Sequence, residues 1–258
     1  APTPYQPYPL TEIFANFQQV VQSEKTKVPR FAVLGPPGSG KSSLLQYLSW
    51  LAATRQHDVL GRSLVPARVL LRDWERTEKN LLAYLAEDYL LSGNAPTQDD
   101  WQQWLQAGEV LLLFDGLDEI ENTSPSFLNT LQTTLATFQD CPTVLTCRTI
   151  SFDQYTLLFE RQDIPVFLMA DLDERQRDAY IAHFPIREGD RYDPQALIAQ
   201  LNRTPQMQPL AANPFLLSII CYVAASGITL PATRTELYRK AVTNLLDLAQ
   251  RSPRVPIV

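Results

Sequence analysis

Gly35, Pro36, Pro37, Gly38, Ser39, Gly40, Lys41 and Ser42 fall in the order G-x-x-x-x-G-K-S, directly after the short apolar run Phe31, Ala32, Val33 and Leu34. Glycines at this spacing let the backbone curl until several N–H groups point inward, a concavity that suits the oxygens of a polyphosphate. Ser43 continues the set into a helix marked by Leu44, Leu45, Leu48 and Leu51, whose positive N-terminal end would face the same place. Lys41 can reach β- and γ-phosphates, and the Ser42 hydroxyl is a ligand for Mg2+. The plainer reading is a glycine-rich turn. A strand before it and a helix after it favour the phosphate chemistry.

A second cluster follows about 80 residues later: Leu111, Leu112, Leu113 and Phe114 lead into Asp115, Gly116, Leu117, Asp118 and Glu119. An apolar strand ending on Asp115 would deliver its carboxylate to the carboxyl edge of a parallel sheet, where it can hold Mg2+ directly or through water. Alone, such an acidic strand end is equally a solvated turn. Asp118 and Glu119 lie beyond the strand, where a carboxylate could orient or deprotonate an attacking water. Glu119 is the first candidate for that base and Asp118 its substitute. The run from Thr143 to Arg148 ends at the same edge. There Arg148 could sense a γ-phosphate, or simply pair with a neighbouring carboxylate. Leu91, Ser92, Gly93, Asn94 and Ala95 imitate a transporter signature. That reading fails because Asp115 is followed by Gly116 and no basic helix follows Ala95. No N-K-x-D guanine-reading motif occurs, so ATP is favoured over GTP.

These groups need a scaffold. Buried strands are expected at residues 31–34, 67–74, 109–114, 143–147 and 164–169, alternating with helices, including 79–91, 101–105 and 127–138. Alternation of this kind implies a parallel sheet with right-handed crossovers. The expected fold class is therefore α/β: a P-loop NTPase of three layers, α/β/α, around a five-stranded parallel sheet. From residue 171 the pattern is helical only, at 175–184, 194–201, 213–225 and 235–250, which predicts a small all-helical subdomain. Residues 1–29 read as a proline-rich extended segment and a helix from Thr11, with Ile13, Phe14, Phe17, Val20 and Val21 on one face. That helix covers the sheet or brings backbone near an adenine. The expected divisions are 1–29, 30–170 and 171–258.

Composition sets outer bounds. With 258 residues, 45% hydrophobic and 19% charged, the chain can bury a sizeable core. It holds no apolar run of about 18 residues, so no membrane span is expected, and no leader is visible. Its stop at Val258 suggests a piece of a longer protein. A charge of −6, from 22 basic against 28 acidic residues, argues against a dominant nucleic-acid surface. Cys141, Cys147 and Cys221 lack disulfide or zinc spacing, and a reducing cytoplasm fits them best. His57 and His183 stand alone and read as surface or helix-end residues rather than ligands.

With both motifs in place, the sequence resembles the NACHT family, of the STAND class of signal-transduction ATPases. The likeness spans residues 31–250 and rests first on DGLDE at 115–119. TCRT at 146–149, ANPFLLSIICYV at 212–223 and LPATRTELYRKAVTNLL at 230–246 support it. The resemblance implies that Asp115 serves Mg2+, Glu119 serves hydrolysis and Arg148 acts as sensor. It implies that Pro214 packs near the adenine, where the residues alone mark only a first helical position. It also implies winged-helix, sensor and effector domains beyond this chain. The leading expectation is an ATP/ADP switch with slow hydrolysis, in a defence or regulatory protein: ADP holds the helical part against the sheet, and ATP releases it for self-association. The alternatives are an AAA-like ATPase working on nucleic acid or protein, or a nucleotide-binding scaffold without turnover.

Overall fold

The structure is a computed structural model that describes residues 13–14, 28–54, 62–88, 95–120, 125–185, 192–227, 230–231 and 233–251. The expected proline-rich segment, all of the first helix but Ile13 and Phe14, the imitation signature at 91–94 and His57 lie outside these residues.

In chain order the first part comprises β1 (Arg30–Gly35), α1 (Lys41–Ala53), β2 (Val65–Leu70), α2 (Leu71–Thr77), α3 (Leu81–Asp88) and α4 (Gln98–Gln106). It continues with β3 (Val110–Asp115), α5 (Pro125–Thr137), β4 (Thr143–Arg148), α6 (Thr156–Arg161) and β5 (Val166–Leu168). Short 3-10 turns at Leu117–Glu119 and Thr149–Tyr155 follow β3 and β4. All strand pairs are parallel, in the order β2-β3-β4-β1-β5.

The three inner strands β3, β4 and β1 are buried on both faces, and alternate side chains sort to opposite cores. Ala32, Leu34, Leu112, Phe114, Leu145 and Cys147 face α2 to α6. Phe31, Val33, Leu111, Leu113 and Val144 face α1, with Leu45, Leu48 and Leu51, and also Ile13 and Phe14. This is the three-layer α/β/α arrangement that the alternating pattern predicts.

One expected strand is corrected. Residues 67–74 are not one strand: β2 ends at Leu70, opposite Asp115 at the end of β3, and Leu71 begins α2. A strand running to residue 74 would outlast its hydrogen-bonding partner. Instead Leu71 and Trp74, three apart, bury together, and Trp74 stacks on Phe114 at 6.1 Å and meets Phe127 edge-on at 5.0 Å. Helical spacing won because the burial it offers is complete. The helix stops where Glu78 adopts a left-handed conformation, φ +54°.

The chain divides into two compact units, Ala1–Pro37 with Lys41–Met169, and Gly38–Gly40 with Ala170–Val258. The second contains α7 (Glu174–Ala182), α8 (Pro194–Asn202), α9 (Gln208–Ala211), α10 (Pro214–Ala225) and α11 (Arg234–Arg251). Three starts are written in the sequence: Asp173 forms a capping box with Gln176, and Asp193 and Asn213 cap helices whose first residue is proline. Its core joins Ile181, Leu197, Leu201, Leu217, Ile220 and Leu237. Among the described residues no single helix is long and apolar enough to cross a membrane.

Candidate functional site

β1 ends at Gly35 and α1 begins at Lys41, with a tight loop between them. Gly38 and Gly40 have φ of +75° and +96°, values that side-chain-bearing residues rarely adopt. The Lys41 ammonium folds back to donate to the Gly35 carbonyl at 2.8 Å and the Pro36 carbonyl at 3.0 Å. Burial pulls Lys41 below its ordinary pKa; Asp118 opposes the shift and Arg148 adds to it. The Ser39 hydroxyl is buried with no hydrogen-bond partner among the described residues. Pro36, Pro37, Ser42 and Ser43 are exposed.

Asp115, at the end of β3, is only 7% exposed. Its Oδ1 accepts from the Ser42 hydroxyl at 3.1 Å and the Thr146 hydroxyl at 2.8 Å, and its Oδ2 accepts from Arg68 at 2.7 Å. Thr146 also receives the Gly116 amide at 2.9 Å. β4 lies between β1 and β3, so Thr146 stands in the gap between the phosphate-loop strand and the acidic strand. Gly116, at φ +79°, turns the chain back so that a Cβ there would press on the Glu119 side chain at 3.2 Å.

Arg148, the last residue of β4, is in register with Gly35. Its Nε pairs with Asp118 Oδ2 at 2.9 Å, and its backbone amide donates to Asp118 Oδ1 at 2.8 Å. Asp118 is thus buried and fully engaged. Glu119 is 47% exposed, with Arg72 at 3.9 Å, a distance at which an exposed ion pair contributes little. Of the two carboxylates proposed for water activation, Glu119 is the one open to solvent.

The sequence readings brought Lys41, Ser42, Asp115, Asp118, Glu119 and Arg148 to this edge. They missed Arg68, Thr146 and Arg72. A signal existed for two of these: Arg68 is the lone charge inside an apolar strand, and Thr146 is a hydroxyl within the apolar run Val144 to Cys147, two positions before Arg148. Pro214 begins α10 behind the Asn213 cap, and within the second unit the Phe215 amide donates to the Gly38 carbonyl at 3.1 Å.

No group of three or more His, Cys, Asp or Glu side chains among the described residues could hold a metal alone. Ser42 Oγ and Asp115 Oδ1 are hard oxygen donors beside each other. That fits Mg2+, which takes one or two protein oxygens and fills its shell with water and phosphate.

A parallel five-stranded sheet with this loop after β1 and an acidic end on β3 defines a P-loop NTPase domain. A sequence model of the NACHT domain matches residues 30–188, well over half of the chain. The chain belongs to the NACHT domain family. No match was found among curated protein sequences. Among solved structures, domain III of the Thermotoga maritima replication initiation protein DnaA is similar at 14% identity, covering 94% of each chain, with a TM-score of 0.49. AMPPCP-bound DnaA from Aquifex aeolicus is 14% identical over 95% of this chain and 69% of its own, TM-score 0.50. The Aeropyrum pernix Orc1 protein in complex with DNA is 12% identical over 95% and 68%, TM-score 0.50. For the latter two, at these identities, the likeness is one of fold.

Proposed function

We propose that this domain binds ATP and ADP with Mg2+ and acts as a nucleotide-dependent switch with slow hydrolysis. The observation that carries this is the meeting of Ser42 and Asp115 at 3.1 Å beside Lys41, from a loop whose glycines sit at positive φ. Gly35 to Ser43 would cradle the phosphates, and Lys41 would trade its two carbonyl acceptors for β- and γ-phosphate oxygens. Ser42 and Asp115 would hold Mg2+, which supplies charge neutralisation of the phosphates. Glu119 would orient or deprotonate the attacking water, with Asp118 as substitute. Pro214 would pack near the adenine, a role suggested by family resemblance.

Arg148 gives the switch its physical basis. One guanidinium can serve Asp118 or a γ-phosphate, and only ATP offers the second. A ligand shifts an equilibrium by what it binds differently in two states. We extend this to ATP-driven self-association of a longer parent protein with winged-helix, sensor and effector domains, in defence or regulation. Three buried free thiols support a reducing, cytoplasmic setting.

A thermal melt with ADP and Mg2+ tests the reading. At about a hundred times its dissociation constant, ADP should add about 2.7 kcal/mol of stability. A melting temperature indifferent to both ADP and ATP would sink it.

A further inference from the structure

We infer that Arg68 is a resident counter-charge on Asp115 that a divalent cation must displace, so that this arginine sets how strongly metal and nucleotide binding are coupled. The inference deepens the proposed nucleotide reading and rests on it. Arg68 lies in β2 two residues before Leu70, the register partner of Asp115. Its Nη2 reaches Asp115 Oδ2 at 2.7 Å, a short charge-assisted bond between a carboxylate 7% exposed and a guanidinium 29% exposed. Among the described residues its buried Nε has no hydrogen-bond partner, and Asp115 is the only acceptor for the guanidinium. The rest of β2, Val65, Pro66, Ala67, Val69 and Leu70, carries no charge.

Asp115 has room for about four hydrogen bonds and already accepts three. The Ser42 and Thr146 hydroxyls are neutral and adapt by rotation. Arg68 differs, because it supplies a full positive charge where a metal-holding carboxylate should be bare. A cation arriving at Asp115 meets a neutralised partner and a like charge. The pair also keeps a buried carboxylate from standing unpaired when no metal is bound, a state that costs stability. Arg68 is in this sense a positioning residue for Asp115.

The test is calorimetric titration of ADP, in EDTA and in Mg2+, into the wild-type chain, Arg68→Gln and Arg68→Lys. The quantity read is the ratio of the two dissociation constants. It should rise at least about tenfold in Arg68→Gln and stay near wild type in Arg68→Lys, which keeps the charge. Arg68→Met, which keeps an apolar stem, serves if Gln disturbs the sheet. An unchanged ratio, including equal losses of affinity with and without Mg2+, overturns the inference, as does a ratio in Arg68→Lys as high as in Arg68→Gln. If the wild-type chain binds ADP under neither condition, the nucleotide reading has failed. Mn2+ alone, followed by the paramagnetic resonance of the free ion, then decides: Arg68→Gln should bind it at least about tenfold more tightly than wild type, and equal binding overturns the counter-charge.

Discussion

The two edges of one sheet hold their polar side chains in different ways. At the amino edge Arg30, 5% exposed, donates to the main-chain carbonyl of Leu135 at 2.8 Å, Thr143 donates to the carbonyl of Cys141 at 3.0 Å, and the Cys141 thiol to that of Leu105 at 3.3 Å. At the carboxyl edge most of these side chains bond to side chains, Ser42, Thr146 and Arg68 to Asp115 and Arg148 to Asp118, while the Lys41 ammonium on its flexible stem rests on the Gly35 and Pro36 carbonyls. A carbonyl in a folded backbone cannot leave, whereas a carboxylate can exchange one donor for another. The amino edge is therefore fastened, and the carboxyl edge is built from partners that can change.

Substitutions at either edge put that contrast to the test. The largest effect belongs to Lys41→Ala, which should weaken ADP and ATP binding by at least about a hundredfold in calorimetry while leaving the fold intact; retained affinity would move the exchangeable edge elsewhere. Glu119→Gln should keep nucleotide affinity and slow phosphate release by at least about tenfold. An unchanged rate would shift the role to Asp118 or abolish it. Arg30→Met should cost about 1–2 kcal/mol in urea denaturation, because the Leu135 carbonyl loses its donor, with no change in nucleotide affinity. A change in affinity there would blur the two edges.

The smallest effect concerns pH. Burial raises Cys141 to about 11, Cys147 to about 12 and Cys221 to about 11, from an ordinary 9.0. Below 9.0 the thiols are protonated folded or unfolded, and this contribution is intact. As pH climbs from 9.0 toward 11–12 the unfolded chain ionises first, so stability should decline over that window. Replacing Cys147 by Ala should flatten the decline measured in denaturant between pH 8 and 10.

Much of this was legible beforehand. The phosphate loop is local: its glycines, Lys41 and Ser42 sit within eight positions, and their chemistry follows from types and spacing. The apolar strands before Gly35 and Asp115 announced themselves because both faces are buried. Residues 71–74 are ambiguous in sequence because a short apolar run fits strand and helix alike, and only the end of β3 decides. Arg68 and Thr146 depend on strand register and on which strand lies beside which, information that periodicity does not carry. For Arg148 the sequence allows either a sensor or a salt bridge. The structure shows the pair with Asp118, and sensing of a γ-phosphate is the proposed competitor for the same guanidinium.

The position of β4 has a consequence for ligand choice. With one strand interposed, the loop-bearing strand and the acid-bearing strand are separated by two hydrogen-bonded spacings, on the order of 10 Å. That gauge belongs to peptide geometry, and no exchange of core side chains can widen or narrow it. Mutation can alter the polarity and charge that line the opening, but the spacing of the two strands from which those groups are hung stays fixed.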